Sequence, residues 1–477
     1  MSDLLVALAL PALLVGTEAF FTWLEVVNLR HESTMVDREA DWIRSELGVE
    51  EPRRIVDYHR VKTGVGLLRQ WTLLALVLVV LYSGLYADLV TTVQILNFYP
   101  GVEEAVYVAV VLLALRVAGA PFDLVDTFVV EETFEFNEQS VGLWVRDFLL
   151  GTAVTLVLAV PLALAVFWVV GNVPYWPVAA WGLVMAVQLA MLVLKPRVID
   201  PLFYDFEKVE EGSLREAVDD VFERAGFACE QIYEMDASTR SSHSNAYFVG
   251  FGRTKRVVLF DTLVDSMTVP EVQSVLAHEL AHWKRGHIWK FVALAGLQLA
   301  LVFALLGYLV EAGWILAPFD APATAYALLT VAALWVLPLT RLLAPLQNFF
   351  SLRYEREADA FAAETVGGAT MANALGNLAA ENLAGLFPHS LYETFHHSHP
   401  PIPERMRAVR DVAGGPQGGG AQEEPAGAGP DAGEGSIPDG GSADAPAGAP
   451  GEERADATPG VEHADPRPAD DADEDPS

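Results

Sequence analysis

Seven long apolar stretches punctuate the chain, near residues 4–26, 67–87, 104–120, 148–171, 177–195, 289–311 and 324–344. Each is long enough, or nearly so, for a helix to cross about 30 Å of hydrocarbon. The third is the weakest, because Arg116 interrupts it near one end. Trp168, Trp176, Trp181 and Trp314 fall at or near run ends, where amphipathic rings favour the membrane–water boundary. The first run leads straight into an acidic, arginine-bearing, helix-like segment and lacks a basic leader and a small-residue cleavage site. It therefore reads as a retained membrane helix.

Charge between the runs sets the expected orientation. The first connection carries Arg30, Arg38, Arg44, Arg53, Arg54, Arg60 and Lys62, whereas the second (88–103), fourth (172–176) and sixth (312–323) carry no Lys or Arg. The positive-inside rule then places the odd connections in the cytoplasm, the N-terminus outside and, after seven spans, the C-terminus inside. A multi-pass protein of the cell membrane, embedded in the lipid bilayer, is the expectation.

The expected division is membrane helices 1–5 with their loops over 1–195, a polar insertion over 196–288, membrane helices 6–7 over 289–344, a helical segment over 345–411 and a tail over 412–477. The insertion is the largest polar stretch and falls on the cytoplasmic side. It reads as a small α+β unit. A helix is predicted over 213–226, with Ser213 as its cap and Glu216 completing a capping box. Asn245–Phe251 and Arg256–Phe260 predict a hairpin around Gly252-Arg253-Thr254-Lys255. A further helix starts near Pro270, with proline in its first turn. The tail is Gly, Pro, Ala, Asp and Glu with almost no large apolar side chain, so it is expected to be disordered.

Composition sharpens this picture. Hydrophobic residues make up 52% and charged residues 19%, with a mean hydropathy of +0.30, values that suit a polytopic membrane protein. The formal net charge is −33, of which the tail supplies −14 from 16 acids and two arginines. With only six lysines, the remaining acidity fits a chain kept soluble at high salt, and a halophilic source is expected. Such acidity excludes nucleic acid as a partner. The single cysteine, Cys229, rules out an internal disulfide, a cysteine metal site and a redox pair.

The chemistry sits at the end of the insertion. Residues 278–282 read His-Glu-Leu-Ala-His. On a helix, positions i and i+4 share a face, so His278 and His282 can aim two imidazoles at one ion, while Glu279 lies beside that face, able to take a proton from a water. Such a pattern also occurs by chance on surface helices. Here it follows an amphipathic stretch, adjoins a membrane run, and has a candidate third ligand in a topologically allowed place. An extended arrangement with a third histidine would need Gly at 285 and His at 288, but Arg285 and Ile288 stand there. His287 lies nine residues past His278. At about 100° per residue it falls on the opposite face of a continuous helix, a structural or interfacial position. Downstream, residues 351–361 are helix-like, and Glu355 and Asp359 share a face at i and i+4. Glu355 as ligand and Asp359 as acceptor for a histidine N–H complete a site, while Glu357 points away, solvated or paired with an arginine. Two spans separate Glu355 from His282, which returns the chain to the same side. Two imidazoles and a carboxylate suit one zinc per chain, with a position left for water. His243 precedes a strand as a turn residue. His396, His397 and His399 cluster before Pro400-Pro401, and Glu131 and Glu132 are expected on a membrane-proximal helix surface.

Several segments together carry a resemblance. They are Glu131-Glu132-Thr-Phe-Glu-Phe-Asn137, Asp200-Pro-Leu-Phe-Tyr, Ser241-Ser-His-Ser-Asn-Ala-Tyr-Phe-Val-Gly-Phe, Arg256-Val-Val-Leu-Phe-Asp-Thr-Leu, His278-Glu-Leu-Ala-His-Trp-Lys-Arg-Gly-His, Ser351-Leu-Arg-Tyr-Glu-Arg-Glu-Ala-Asp-Ala-Phe and Ser398-His-Pro-Pro-Ile-Pro-Glu-Arg. In this order, over roughly residues 1–410, the chain resembles the type 1 CAAX prenyl protease family, integral-membrane HExxH zinc endopeptidases with relatives of the heat-shock HtpX type. The resemblance implies a mainly α fold: a seven-helix transmembrane bundle enclosing a chamber, with a cytoplasmic α+β zinc subdomain of gluzincin type. It implies metal ligation by His278, His282 and Glu355, base catalysis by Glu279 and a steadying role for Asp359 on a ligand histidine. It implies substrate alignment along Asn245 and Ala246, and a place near the substrate carbonyl for His399.

The expected function is therefore zinc-dependent hydrolysis of peptide bonds in a peptide or membrane-protein substrate, for processing or quality control. The prenyl specificity of the family's eukaryotic members does not transfer with it, and the acidic tail lies outside the pattern. The alternatives are a non-proteolytic membrane scaffold or translocon-associated partner, which the intact His278, Glu279, His282 and Glu355 set opposes, and a transporter, for which the spans offer only Arg116.

Overall fold

The computed structural model describes residues 3–95, 101–227, 231–249 and 256–413. Cys229, the Gly252–Lys255 turn and the tail from 414 onward lie outside the described residues. Among these residues, seven helices are long and apolar enough to cross a membrane. In chain order the first helices are α1 (Asp3–Arg38), α2 (Ala40–Leu47), α3 (Arg53–Tyr82), α4 (Leu85–Gln94), α5 (Val102–Val125), α6 (Val141–Asn172) and α7 (Trp176–Leu194). After the insertion, which carries three further helices, come α11 (His287–Ala312) and α12 (Ala325–Leu342).

The spanning helices pack in sequence order, α1 on α3, α3 on α5, then α6, α7, α11 and α12, and α12 closes on α1. This is a ring enclosing a chamber, and it explains why few side chains of the spans are buried despite their hydropathy: each helix has a lipid face and an inner face. One end is filled by α4, the short helix Trp314–Phe319 and a cluster that includes Tyr86, Tyr107, Trp176, Phe319 and Tyr326. Of the four tryptophans at run ends, one is exposed and three pack against other parts of the ring. Trp168 is exposed, but Trp176 is buried, Trp181 donates its indole N–H to the Gly296 carbonyl at 2.8 Å, and Trp314 packs edge-on against Trp335. Helix–helix packing in the ring takes those rings inward. The α7–α11 contact is close enough that a Cβ on Gly307 would lie 2.6 Å from Pro177 Cγ, the small-residue approach common between membrane helices.

Several ionisable groups in the ring are paired. Arg69 reaches Asp123 at 2.7 Å, with Arg116 3.8 Å from the same carboxylate, and Arg341 reaches Glu18 at 2.7 Å. Several helices overrun the bilayer. α1 has 36 residues, about 54 Å at 1.5 Å per residue, so its C-terminal end and the start of α3 project beyond the hydrocarbon.

Those projections enter the half of the molecule built from the insertion and the C-terminal helices, the catalytic half of the expected enzyme. Val36, Ile43, Ile55, Val56 and Tyr58 share one buried core with Val130, Phe134 and Phe136, and with residues from the insertion and the C-terminal helices. The insertion carries β1 (Phe206–Lys208), α8 (Ser213–Arg224), β2 (Ile232–Met235), β3 (Ala246–Val249), β4 (Arg256–Phe260), α9 (Asp261–Ser266) and α10 (Val269–Lys284). The sheet order is β1-β2-β4-β3, with β2 and β4 parallel and β3 antiparallel to β4 at the edge. The predicted hairpin strands pair as expected, with Ala246 opposite Leu259. Strands β1 and β2, too short to show a period of two, complete the sheet. Helix α8 starts at Ser213, one residue earlier than the capping expectation. Gly212 holds the cap position at φ +102°, and no side chain caps the helix. The capping box falls instead at the start of α10, where Thr268 and Glu271 satisfy each other's end of the helix. The remaining helices are α13 (Ala344–Val366), α14 (Gly368–Glu381), α15 (Ser390–His396) and α16 (Ile402–Ala413).

Candidate active site

Helices α10 and α13 bring the predicted ligands together. Where they pack, both present small buried residues, Ala277 and Ala281 on one and Ala358 and Ala362 on the other. Alanine rows let two helices approach closely, and a short carboxylate on α13 then reaches the imidazoles of α10. His278 Nε2 and His282 Nε2 lie 3.2 Å apart, with Glu355 oxygens 3.3 Å from the first and 3.2 Å from the second. These separations decide what the cluster fits. A tetrahedral ion with ligands at about 2.0–2.1 Å needs neighbouring ligand atoms roughly 3.3 Å apart. Among the described residues, this is the one trio of His, Cys, Asp or Glu side chains gathered closely enough to hold a metal ion.

The surroundings fix the cluster. Asp359, one turn beyond Glu355, brings Oδ1 to 2.9 Å from His278 Nδ1. Arg405 of α16 grips Asp359 with two bonds, Nε to Oδ2 at 2.8 Å and Nη2 to Oδ1 at 2.7 Å. His399 Nδ1 lies 2.5 Å from Glu355 Oε2. Burial by itself raises the Glu355 pKa, but His399 and the two α10 histidines overcome it and hold this carboxyl well below its usual range. Burial likewise opposes a charged His278, yet Asp359 and Glu355 push its pKa up to about 10. The carboxylates therefore demand positive charge at the centre of the cluster. A divalent cation meets that demand in place of a proton.

Glu279 is half-buried and stays out of the trio. It lines two adjoining clefts. One is bounded by Asn245, Ala246, Leu375, His399 and Arg405, the other by Phe248, Trp283, His287 and Phe291. The first cleft runs along edge strand β3, so the predicted Asn245 and Ala246 sit within reach of the trio. Asn245 is exposed and its carbonyl accepts from Phe260 N at 3.1 Å.

The chain before β3 is tied down on both sides. His243 Nδ1 donates to Asn382 Oδ1 at 2.9 Å and its Nε2 is 3.3 Å from Glu131, while Ser244 N also donates to Asn382 Oδ1. Glu131 ends a π-helical turn (Asp126–Glu131) below α5 and meets Tyr58 and Lys62 of α3. The expected turn residue and the expected helix-surface acid thus form a joint between membrane ring and catalytic half.

Other expectations change. Helix α10 does not continue to His287. Gly286, at φ +66°, stops it, and His287 opens α11. His287 therefore folds back to within 3.1 Å of His282 rather than facing away. Glu357 pairs with Arg353 and Arg285 as expected, and also approaches His287. His396 stacks on Tyr392, away from the trio. Arg405, Asn382 and His243 were not singled out by spacing, because each acts through a partner distant in the sequence.

A membrane-embedded ring of helices over a two-histidine, one-carboxylate cluster, with a half-buried glutamate beside it, defines an integral-membrane metalloprotease. Comparison with known proteins agrees. The profile of Peptidase family M48 matches residues 208–413, and that of the CAAX prenyl protease N-terminal region, five membrane helices, matches residues 37–205. The CAAX prenyl protease 1 homolog of Oryza sativa subsp. japonica is 35% identical over 314 residues, covering 64% of this chain and 73% of its own length. The Homo sapiens homolog is 30% identical over 357 residues, covering 66% and 75%. The crystal structure of S. mikatae Ste24p superposes with a TM-score of 0.75 at 25% identity, over 85% of this chain and 98% of that one. The chain belongs to the CAAX prenyl protease 1 family.

Proposed function

We propose that the chain hydrolyses peptide bonds with one zinc ion held by His278, His282 and Glu355. The observation that carries this is the trio of ligand atoms at 3.2–3.3 Å, the spacing zinc requires. Bound there, zinc would polarise the scissile carbonyl and acidify water at its open position. Glu279 takes the proton of the attacking water on its carboxylate and delivers it to the departing amine. Asp359 holds His278 in the tautomer that presents Nε2, and Arg405 holds Asp359. The substrate backbone adds as a strand to the free edge of β3 at Asn245 and Ala246, with its carbonyl towards His399.

The substrate is a peptide or a segment of a membrane protein, cut at the cytoplasmic face. The arginine-rich first connection and the absence of Lys and Arg from 172–176 and 312–323 support that orientation, with the N-terminus outside and the acidic tail cytoplasmic. The relatives are named as CAAX prenyl proteases. We read the activity here as general membrane-peptide processing. The test is cleavage by purified protein after chelation and zinc add-back, on paired peptides with and without a prenylated C-terminal cysteine. The reading predicts loss, recovery and comparable cleavage of both. Cleavage that survives chelation would refute the metal assignment, and cleavage of the prenylated peptide alone would refute the broad specificity.

A further inference from the structure

The two histidines of α10 present Nε2 to each other and to Glu355, which leaves each with an Nδ1 turned outward. For His278 that nitrogen meets Asp359. For His282 it meets Nδ1 of His287, 3.1 Å away. His287 is fully buried, and its ring is stacked on Tyr354 with centroids 4.4 Å apart and planes at 17°. Its other nitrogen, Nε2, lies 3.4 Å from Glu357 Oε2. Glu357 is held in turn by Arg353 Nε at 3.2 Å and by Arg285 at 3.6 Å.

These contacts fix a series of proton positions. A histidine that ligates through Nε2 carries its proton on Nδ1, so His282 donates and His287 Nδ1 accepts. His287 must then carry its proton on Nε2, which donates to Glu357. Stacking on Tyr354 keeps the ring from turning, and the left-handed Gly286 lets the chain double back to place it. Helix α13 thus supplies two carboxylates that steady ligand histidines: Asp359 directly on His278, and Glu357 through His287 on His282.

We propose that His287 is a positioning residue for the metal site, setting the tautomer and ring orientation of His282 as Asp359 does for His278. The inference rests on reading His282 as a ligand through Nε2. Partners of this kind typically contribute about 10–100-fold to metal affinity.

The test is zinc affinity, measured by competition with a chromophoric chelator on the purified full chain in detergent, with circular dichroism to confirm folding. Wild type is compared with His287→Ala, His287→Gln, Glu357→Gln and, as reference, His282→Ala. Expected are loss of tight zinc binding in His282→Ala, about a 10–100-fold weakening in His287→Ala, and partial recovery in His287→Gln, whose amide oxygen can accept the same N–H. Glu357→Gln should weaken zinc less than His287→Ala. If His287→Ala does not fold, His287→Leu, which fills the space without an acceptor, takes its place against His287→Gln. Wild-type affinity in a folded His287→Ala or His287→Leu, with His282→Ala still impaired, would overturn the inference and leave His287 as packing alone. Wild-type affinity in His282→Ala would remove the ligand assignment itself.

Discussion

The membrane ring and the catalytic half solve opposite problems with the same element, the helix. In the ring, helices touch their sequence neighbours, spare the space between them and meet lipid outside. Several of their charges form small local groups, such as Arg69 and Arg116 on Asp123, and Arg341 with Glu18. In the catalytic half, helices pack through alanine rows, and buried charges form one continuous network from Arg405 through Asp359 and His278 to Glu355 and His399. The lesson is that the ring owes its stability to shape and bilayer, and the site owes its chemistry to mutual satisfaction of charges. Damage to one should therefore leave a different trace from damage to the other.

The largest effect should come from removing the carboxylate at the centre of the network. Glu355→Ala is expected to abolish stoichiometric metal and reduce peptide cleavage to background, read by elemental analysis beside a peptidase assay. Retained metal would move the third ligand elsewhere. Next, Arg405→Ala strands the buried Asp359 carboxylate. Breaking a buried pair in this way costs about 3–5 kcal/mol, so chemical denaturation in detergent should show a large loss, with Arg405→Lys intermediate. In the ring, Gly307→Ala forces a methyl against Pro177. An overpacking cost of about 1–3 kcal/mol is expected, with metal content and kcat per folded molecule unchanged. A fall in kcat there would break the separation drawn above. A further prediction concerns pH. The His278 pKa is raised, to about 10, and a histidine can ligate a metal only without that proton. Apparent zinc affinity should therefore climb by up to about tenfold per pH unit below that value and level off above it, with about one proton released on binding near pH 8. A flat profile between pH 7 and 9 would contradict the charge demand inferred for the cluster.

The sequence was legible where a physical requirement is local. A membrane crossing needs a long apolar run, so all seven spans could be placed. A two-histidine site on one helix needs a spacing of four, and Glu355 and Asp359 share a face for the same reason. What could not be read depends on contacts between distant residues. Ile55, Val56 and Tyr58 look like the approach to a membrane span, yet they complete the catalytic core because α3 projects past the bilayer. His243 gains its place from Glu131 and Asn382, and Asp359 its second partner from Arg405, far along the chain in each case. The face assigned to His287 was wrong because one glycine ends α10. Gly286 was visible in the sequence, but a helix wheel drawn through it hid its meaning.

The central claim is that Glu279 works as the base beside a metal it does not hold. Glu279→Gln keeps size and shape and removes the proton acceptor. Metal content and cleavage should be measured together on this variant and on wild type. The account predicts one zinc per chain in both, with cleavage reduced by about 10²–10⁴-fold in the variant. Full cleavage by a metal-loaded Glu279→Gln protein would contradict it.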